Sequence, residues 1–314
     1  MRHFCFSLAL AAASVVNAYA AGPFAYVANE KSGTISVIDT ASDEVVHDIK
    51  VGGKPRGSAV SKDGKILYIS DQPNNKLVIL NLEQLVVTGQ IDLGESPEGV
   101  SDSPDGKWII AASEVTNSVN FVSASSGKKM FSVKTKGKNP EHAVFSSDSK
   151  LVFVSAEEAD VIDIIDVAKR RQVASVKVGD RPRGIAFRPD GLIAYVASEI
   201  ASTVYVIDVL QRKTIKEIKA GNFCNGVVMS PDGNRVFVSN GKEASVSVID
   251  TSSNEVIATI PVGKRPWNMD ITHDGKKLYV ANGKSNSVSV IDLDSLSVIK
   301  EIPVGDAPWG VVIR

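Results

Sequence analysis

A motif close to Ile-x-Val-Gly returns along the chain at a nearly constant interval, and that interval limits the fold more than any other feature. Its closing glycines are Gly52, Gly94, Gly137, Gly179, Gly221, Gly263 and Gly305, separated by 42, 43, 42, 42, 42 and 42 residues. A fixed period of this length marks a repeat architecture. Each repeat carries four short apolar stretches. In the last full one they are Trp267 to Ile271, Leu278 to Asn282, Ser287 to Asp292 and Val298 to Val304. All are rich in β-branched side chains and bounded by Gly, Asn, Asp or Pro, which is strand chemistry.

The turn between the first two stretches carries Asp63-Gly64, Asp105-Gly106, Asp190-Gly191, Asp232-Gly233 and Asp274-Gly275. Glycine accepts positive φ there at little cost. One repeat has Asp148-Ser149 instead, so Ser149 must adopt that conformation or the turn must differ. Four strands per repeat, arranged radially, make a propeller. The chain starts at a second strand (Phe24 to Asn29) and finishes after a first strand (Gly310 to Ile313). Joining the two ends completes one more blade. The expected fold is therefore all-β: a seven-bladed β-propeller with four antiparallel strands per blade and a closing blade shared by the N- and C-termini.

Residues 1–20 read as a secretory signal peptide: Arg2 and His3, an apolar run from Phe4 to Val16, then Ala18-Tyr19-Ala20 before the cleavage point. Residues 21–314 are then one propeller domain, expected in the periplasm or the secreted space. Removal of the leader takes Cys5 and leaves only Cys224, so no internal disulfide can form. With 35 Lys and Arg against 36 Asp and Glu, no basic excess points to nucleic acid. No membrane insertion is expected, and the chain is expected to be a monomer.

Tyr26-Val27-Ala28-Asn29, Tyr195-Val196-Ala197-Ser198 and Tyr279-Val280-Ala281-Asn282 resemble the signature of the YVTN family of β-propeller repeats. Val37-Ile38-Asp39, Val206-Ile207-Asp208 and Val248-Ile249-Asp250 resemble it too, as do Ser103 to Gly106 and Ser230 to Gly233. Single-domain members of this size are most similar to the propeller proteins associated with PQQ-dependent alcohol catabolism. That resemblance implies a role accessory to periplasmic alcohol oxidation and its transporter. The quinoprotein dehydrogenases themselves are larger, eight-bladed and tryptophan-rich. This chain has three tryptophans, so no PQQ and no other cofactor is expected in it.

Function should lie where the repeat becomes irregular. The connection into each first strand reads Val-Gly-x-x-Pro-x-Gly, and the residue after the proline varies: Arg56, Glu98, Glu141, Arg183, Asn225, Trp267 and Trp309. His142 and Asn268 replace the last glycine, and Cys224 replaces the proline. These residues share the rim of the central channel. Two arginines suit a carboxylate, and two indoles in adjacent blades suit a flat apolar patch. The opposing reading is a solvated mouth whose Arg and Glu residues neutralise one another. Glu30, Asp71, Glu114, Glu157, Glu158 and Glu199 add acidity on the same face, as solvated loops or as a dock for a basic partner.

Catalytic motifs are sparse. A single rim histidine among scattered carboxylates is no zinc site, and no metal is expected. Cys224 has no fixed histidine beside it and reads as a packed thiol. The expectation is a non-catalytic binding or scaffolding propeller that engages a periplasmic protein or a small solute. The alternative is an oxidoreductase-associated or haem-linked propeller using His142.

Overall fold

The computed structural model describes residues 23–314. The leader assigned to residues 1–20 lies outside the described residues. Seven four-stranded antiparallel sheets stand as blades around a central channel. We call the strands of a blade A to D from the axis outwards. Blade 1 unites Pro308–Ile313 as strand A with Phe24–Asn29, Thr34–Asp39 and Glu44–Lys50. The A strands of blades 2 to 7 are Pro55–Val60, Pro97–Asp102, Pro140–Phe145, Pro182–Phe187, Cys224–Met229 and Pro266–Ile271. The shared closing blade and the strand chemistry of the repeat are thus as expected. Among the described residues the one helical turn is a 3-10 segment at Gln72–Asn74, and no described helix is long and apolar enough to cross a membrane.

Strands B and C read as nearly continuous apolar runs because both faces of each sheet are covered by neighbouring sheets. Seven apolar clusters result, one between each pair of adjacent blades. The cluster between blades 7 and 1 joins Tyr279, Ala281 and Val290 to Ala25, Val27 and Val311, so the core runs around the whole ring. D strands are largely exposed, as outer edges are.

The strand B tyrosines and asparagines of the repeat have separate tasks. Tyr195 donates to Asn254 Oδ1 of blade 6 at 2.7 Å, and Tyr279 donates to the Asp43 carboxylate of blade 1. These bonds tie blades 5 and 7 to the outer turn of the next blade. Asn29, Asn240 and Asn282 instead donate to hydroxyls on their own C strands, as in Asn29 Nδ2 to Ser36 Oγ at 2.9 Å. The A–B turns span four residues, with Gly64 N donating to Ser61 O and Ser61 N to Ile66 O. Ser149 does adopt the left-handed conformation, at φ 60°, held by the same bonding of its neighbours.

Candidate ligand-binding site at the channel mouth

Each A strand begins with a β-bulge against strand B, for example between Pro55 and Ser58. In blade 1 the register shifts at the matching point, where Asn29 meets Pro308 and Ala28 meets Gly310. A bulge leaves one residue without a ladder partner and re-aims its side chain. Here the residue after the proline is turned onto the rim. The backbone freed by the bulge is satisfied by a strand B serine: Gly226 N donates to Ser239 Oγ at 2.8 Å, and Ser239 Oγ donates to Trp267 O of the next blade at 2.6 Å. The following glycine lets neighbouring A strands touch. A Cβ on Gly57 or Gly226 would lie 2.4 Å from a carbonyl oxygen of the next blade.

The mouth encloses a cavity of about 280 Å³. Seven of the nine rim residues named from the sequence line it: Arg56, Glu141, Arg183, Asn225, Trp267, Asn268 and Trp309. Glu114, Arg181 and Arg265 complete the wall. Glu98 and His142 are set back from it. Glu98 is fully buried behind Arg56, and Gln72 Nε2 also donates to its carboxylate.

The tryptophans do not make a flat apolar patch. Trp309 is only 8% exposed and reaches across the channel to stack on His142 of blade 4, with ring centroids 5.7 Å apart. It can do so because His142 fills a place that is glycine in most blades. Trp267 is part-buried, with the Arg265 guanidinium 5.8 Å from its ring centre.

The acidic loops are not the solvated set the sequence suggested. Glu30, Asp71, Glu157 and Glu199 are all buried; Glu158 is exposed. Arg56 bridges Glu30 and Glu98. Arg183 meets Glu141, Glu157 and Glu199, the last at 3.1 Å. Arg265 reaches Glu199 at 2.8 Å. Arg181 approaches Glu157 and Glu199 only to 3.4 Å and is the most exposed of the four guanidiniums, at 41%. The expected neutralisation of Arg by Glu is therefore present, but beneath the surface.

The balance is incomplete. Six carboxylates (Glu30, Glu98, Glu114, Glu141, Glu157, Glu199) meet four guanidiniums (Arg56, Arg181, Arg183, Arg265), six minus four leaving two carboxylates in excess. Burial, and next the charge of Glu141, push Glu98 and Glu157 well above the usual carboxylate range. Burial also raises Glu114. Burial opposes ionisation of Glu141 most strongly, but Arg183, His142, Glu157 and Arg56 together outweigh it and hold that group low. The site thus keeps its surplus charge down by retaining protons on Glu98 and Glu157.

Burial lowers His142 to about 4, so the imidazole is neutral at neutral pH, and its Nε2 is buried without a hydrogen-bond partner. Cys224 is fully buried; its thiol donates to Ser198 O at 3.3 Å, and burial pushes its pKa up to about 12. A thiol so protonated is no nucleophile. Sequence reasoning missed Arg181 and Arg265 as rim residues. Both precede the proline in left-handed backbone, at φ 62° and 56°, a place held elsewhere by Ser96, Asn139, Phe223 and Ala307. Their length together with their positive charge distinguishes them.

The sequence profile of the lactonase family of seven-bladed β-propellers matches residues 1–130. That of the YNCE-like β-propellers matches residues 100–314, well over half of the chain. No curated protein matches the chain. Among solved structures it is similar to Kuenenia stuttgartiensis hydrazine synthase, with TM-score 0.79 and 20% identity over 90% of this chain and 99% of that one. It is also similar to a functionally unknown protein from Desulfotomaculum acetoxidans, with TM-score 0.82 and 18% identity over 92% of this chain and 98% of that one. The dihydro-heme d1 dehydrogenase NirN superposes with TM-score 0.70 and 16% identity, covering 92% of this chain and 74% of that one. Identities this low speak to fold alone. With a profile matched over most of its blades and a seven-fold ring in place, the chain belongs to the YNCE-like β-propeller family.

Proposed function

We propose that this is a non-catalytic binding propeller acting outside the cytoplasm, which takes a small solute or a side chain of a protein partner into the channel mouth. The observation that carries this is the cavity itself. The residues that depart from the repeat converge on one 280 Å³ space, close to the lower end of small-ligand pockets. Its accessible donor is Arg181, with the amides of Asn225 and Asn268 set in the wall, and its accessible apolar face is Trp267. A ligand offering one carboxylate or several oxygens beside a flat apolar face fits that set. The resemblance to propellers of PQQ-dependent alcohol catabolism makes the alcohol-oxidising machinery the setting in which to look.

The test is capture of partners and solutes from cells grown on alcohols, by wild type and by the Arg181→Ala/Trp267→Ala double variant. Recovery of a defined partner or solute by wild type alone supports the reading. If both proteins recover the same set, or neither recovers anything, the rim is not a binding site. The unpartnered Nε2 of His142 favours a second reading, axial ligation in a haem-linked propeller. Visible absorbance of the purified protein that His142→Ala abolishes would replace the first reading with the second.

A further inference from the structure

Beneath the cavity lie two carboxyl–carboxyl contacts, Glu98 with Glu114 and Glu141 with Glu157. Two ionised carboxylates do not remain at hydrogen-bonding distance unless a proton or a cation stands between them. The contacts adjoin each other: oxygens of Glu114, Glu141 and Glu157 all lie within 4.8 Å of one another. Independently, Glu98 is 0% exposed, yet its Oε2 finds no hydrogen-bond donor while Arg56 and Gln72 both crowd Oε1. An acceptor stranded beside three other carboxylates is waiting for something positive.

We propose that Glu114, Glu141 and Glu157 bind one divalent cation of the calcium class, with Glu98 as a fourth carboxylate at its edge. The ligand set is oxygen only, which suits a hard cation. Oxygens around Ca²⁺ sit at about 2.3–2.6 Å from the ion, so opposite pairs span about 4.6–5.2 Å, and the 4.8 Å limit falls within that span. Charge agrees: the ion's two positive charges take the place of the protons retained without it and cancel the excess of two carboxylates left after the four guanidiniums. Arg183 meets one oxygen of Glu141 and leaves the other for the ion; Glu157 Oε1, beside the same guanidinium, accepts no hydrogen bond, whereas its Oε2 accepts from Asn139 Nδ2 at 3.0 Å. Glu114 and Glu141 also line the cavity, which gives a path for entry and room for the water or ligand oxygens that complete a shell of six to eight. This inference does not depend on the ligand or partner proposed above.

The test uses the purified protein stripped with a chelator, then titrated with Ca²⁺ by calorimetry and with Tb³⁺ by luminescence. Trp309 and Trp267 line the same cavity and can sensitise Tb³⁺ bound there. The expected result is one equivalent of Ca²⁺ bound more tightly than about 1 mM, the weak end for calcium modules outside cells. Tryptophan-excited Tb³⁺ emission should appear and be displaced by Ca²⁺. Glu114→Gln and Glu157→Gln should each weaken binding by roughly tenfold or more, whereas Glu158→Gln, an exposed neighbour, should change nothing. Glu114 is only part-buried, so its variant should keep the wild-type circular dichroism. No binding at millimolar Ca²⁺ means that the contacts hold protons only, and equal binding by Glu114→Gln means that the ion sits elsewhere. Either result overturns the proposal.

Discussion

His142 and Trp309 stack with their planes 20° apart although they stand in blades 4 and 1, three places apart in a ring of seven. Their contact crosses the channel behind the cavity wall, to which Trp309 belongs. Trp309→Ala should lower unfolding stability by about 3 kcal/mol, near the low end for a buried tryptophan, read from urea denaturation. It should also admit water to His142. The imidazole, held at about 4 by burial, should then titrate closer to its usual 6.5 by NMR. A wild-type His142 that already titrates between 6 and 7 would show that the stack does not seal it.

Asp43 gathers the bonds that close the ring, accepting from the Tyr279 hydroxyl and, at 2.7 Å, from Lys277 Nζ. Asp43→Ala removes the charged acceptor and leaves both donors of blade 7 only Thr40 O, at 2.9 Å from Lys277 Nζ and 3.4 Å from the Tyr279 hydroxyl, and should cost about 1–3 kcal/mol. Deleting residues 307–314 removes strand A of blade 1 and exposes the cluster shared with blade 7. Loss of a cooperative thermal transition is the expected outcome. Unchanged melting of the truncated chain would mean that blade 1 does not need its C-terminal strand.

Asp270 accepts from the Ile313 amide at 2.8 Å, and burial raises its pKa from the usual 3.8 to about 6. Between those values the folded state keeps a proton that the unfolded chain has lost. Stability therefore falls as pH rises from about 4 to about 6, and this group's contribution is flat outside that window. Asparagine retains an acceptor for Ile313 without the charge. Asp270→Asn should match wild type near pH 4 and exceed it above pH 6, by at most about 3 kcal/mol for a shift of this size. His142 titrates in the same range but is common to both proteins, so their difference isolates Asp270. A difference that stays flat from pH 4 to pH 7 would rule this out.

Cys224 should be inert in the native protein. With its thiol buried, bonded to Ser198 O and raised to about 12, alkylation at pH 8 should proceed only as fast as global unfolding. Rapid labelling of the folded protein, followed by mass spectrometry, would contradict the packing described for blade 6.

The repeat made the ring legible because one blade's pattern is the next blade's pattern. The same spacing put Arg56 beside Glu98 and Glu141 beside Arg183, pairs one repeat apart, so their neutralisation could be anticipated. Depth could not. Whether Glu98 or Glu199 faces water depends on how closely adjacent bulges approach, and that is a tertiary quantity. Trp309 was misread for a similar reason: its direction is set by His142 on the far side of the channel, not by Trp267 in the adjacent blade. The carboxylates that looked scattered along the chain, Glu114, Glu141 and Glu157, meet only because successive blades converge on one axis.

In blade 1, strand Phe24–Asn29 pairs with Pro308–Ile313, 308 minus 24 or 284 residues downstream, whereas strands A and B of every other blade begin 11 residues apart, as in 66 minus 55. Lengthening a loop by that factor, between four and five doublings, costs about 2.9 kcal/mol in closure entropy. The difference is small beside a core of seven clusters, but it falls entirely on one step. Until that step is taken, the nascent chain presents two open sheet edges, and it is there, not within any single blade, that self-association competes with folding.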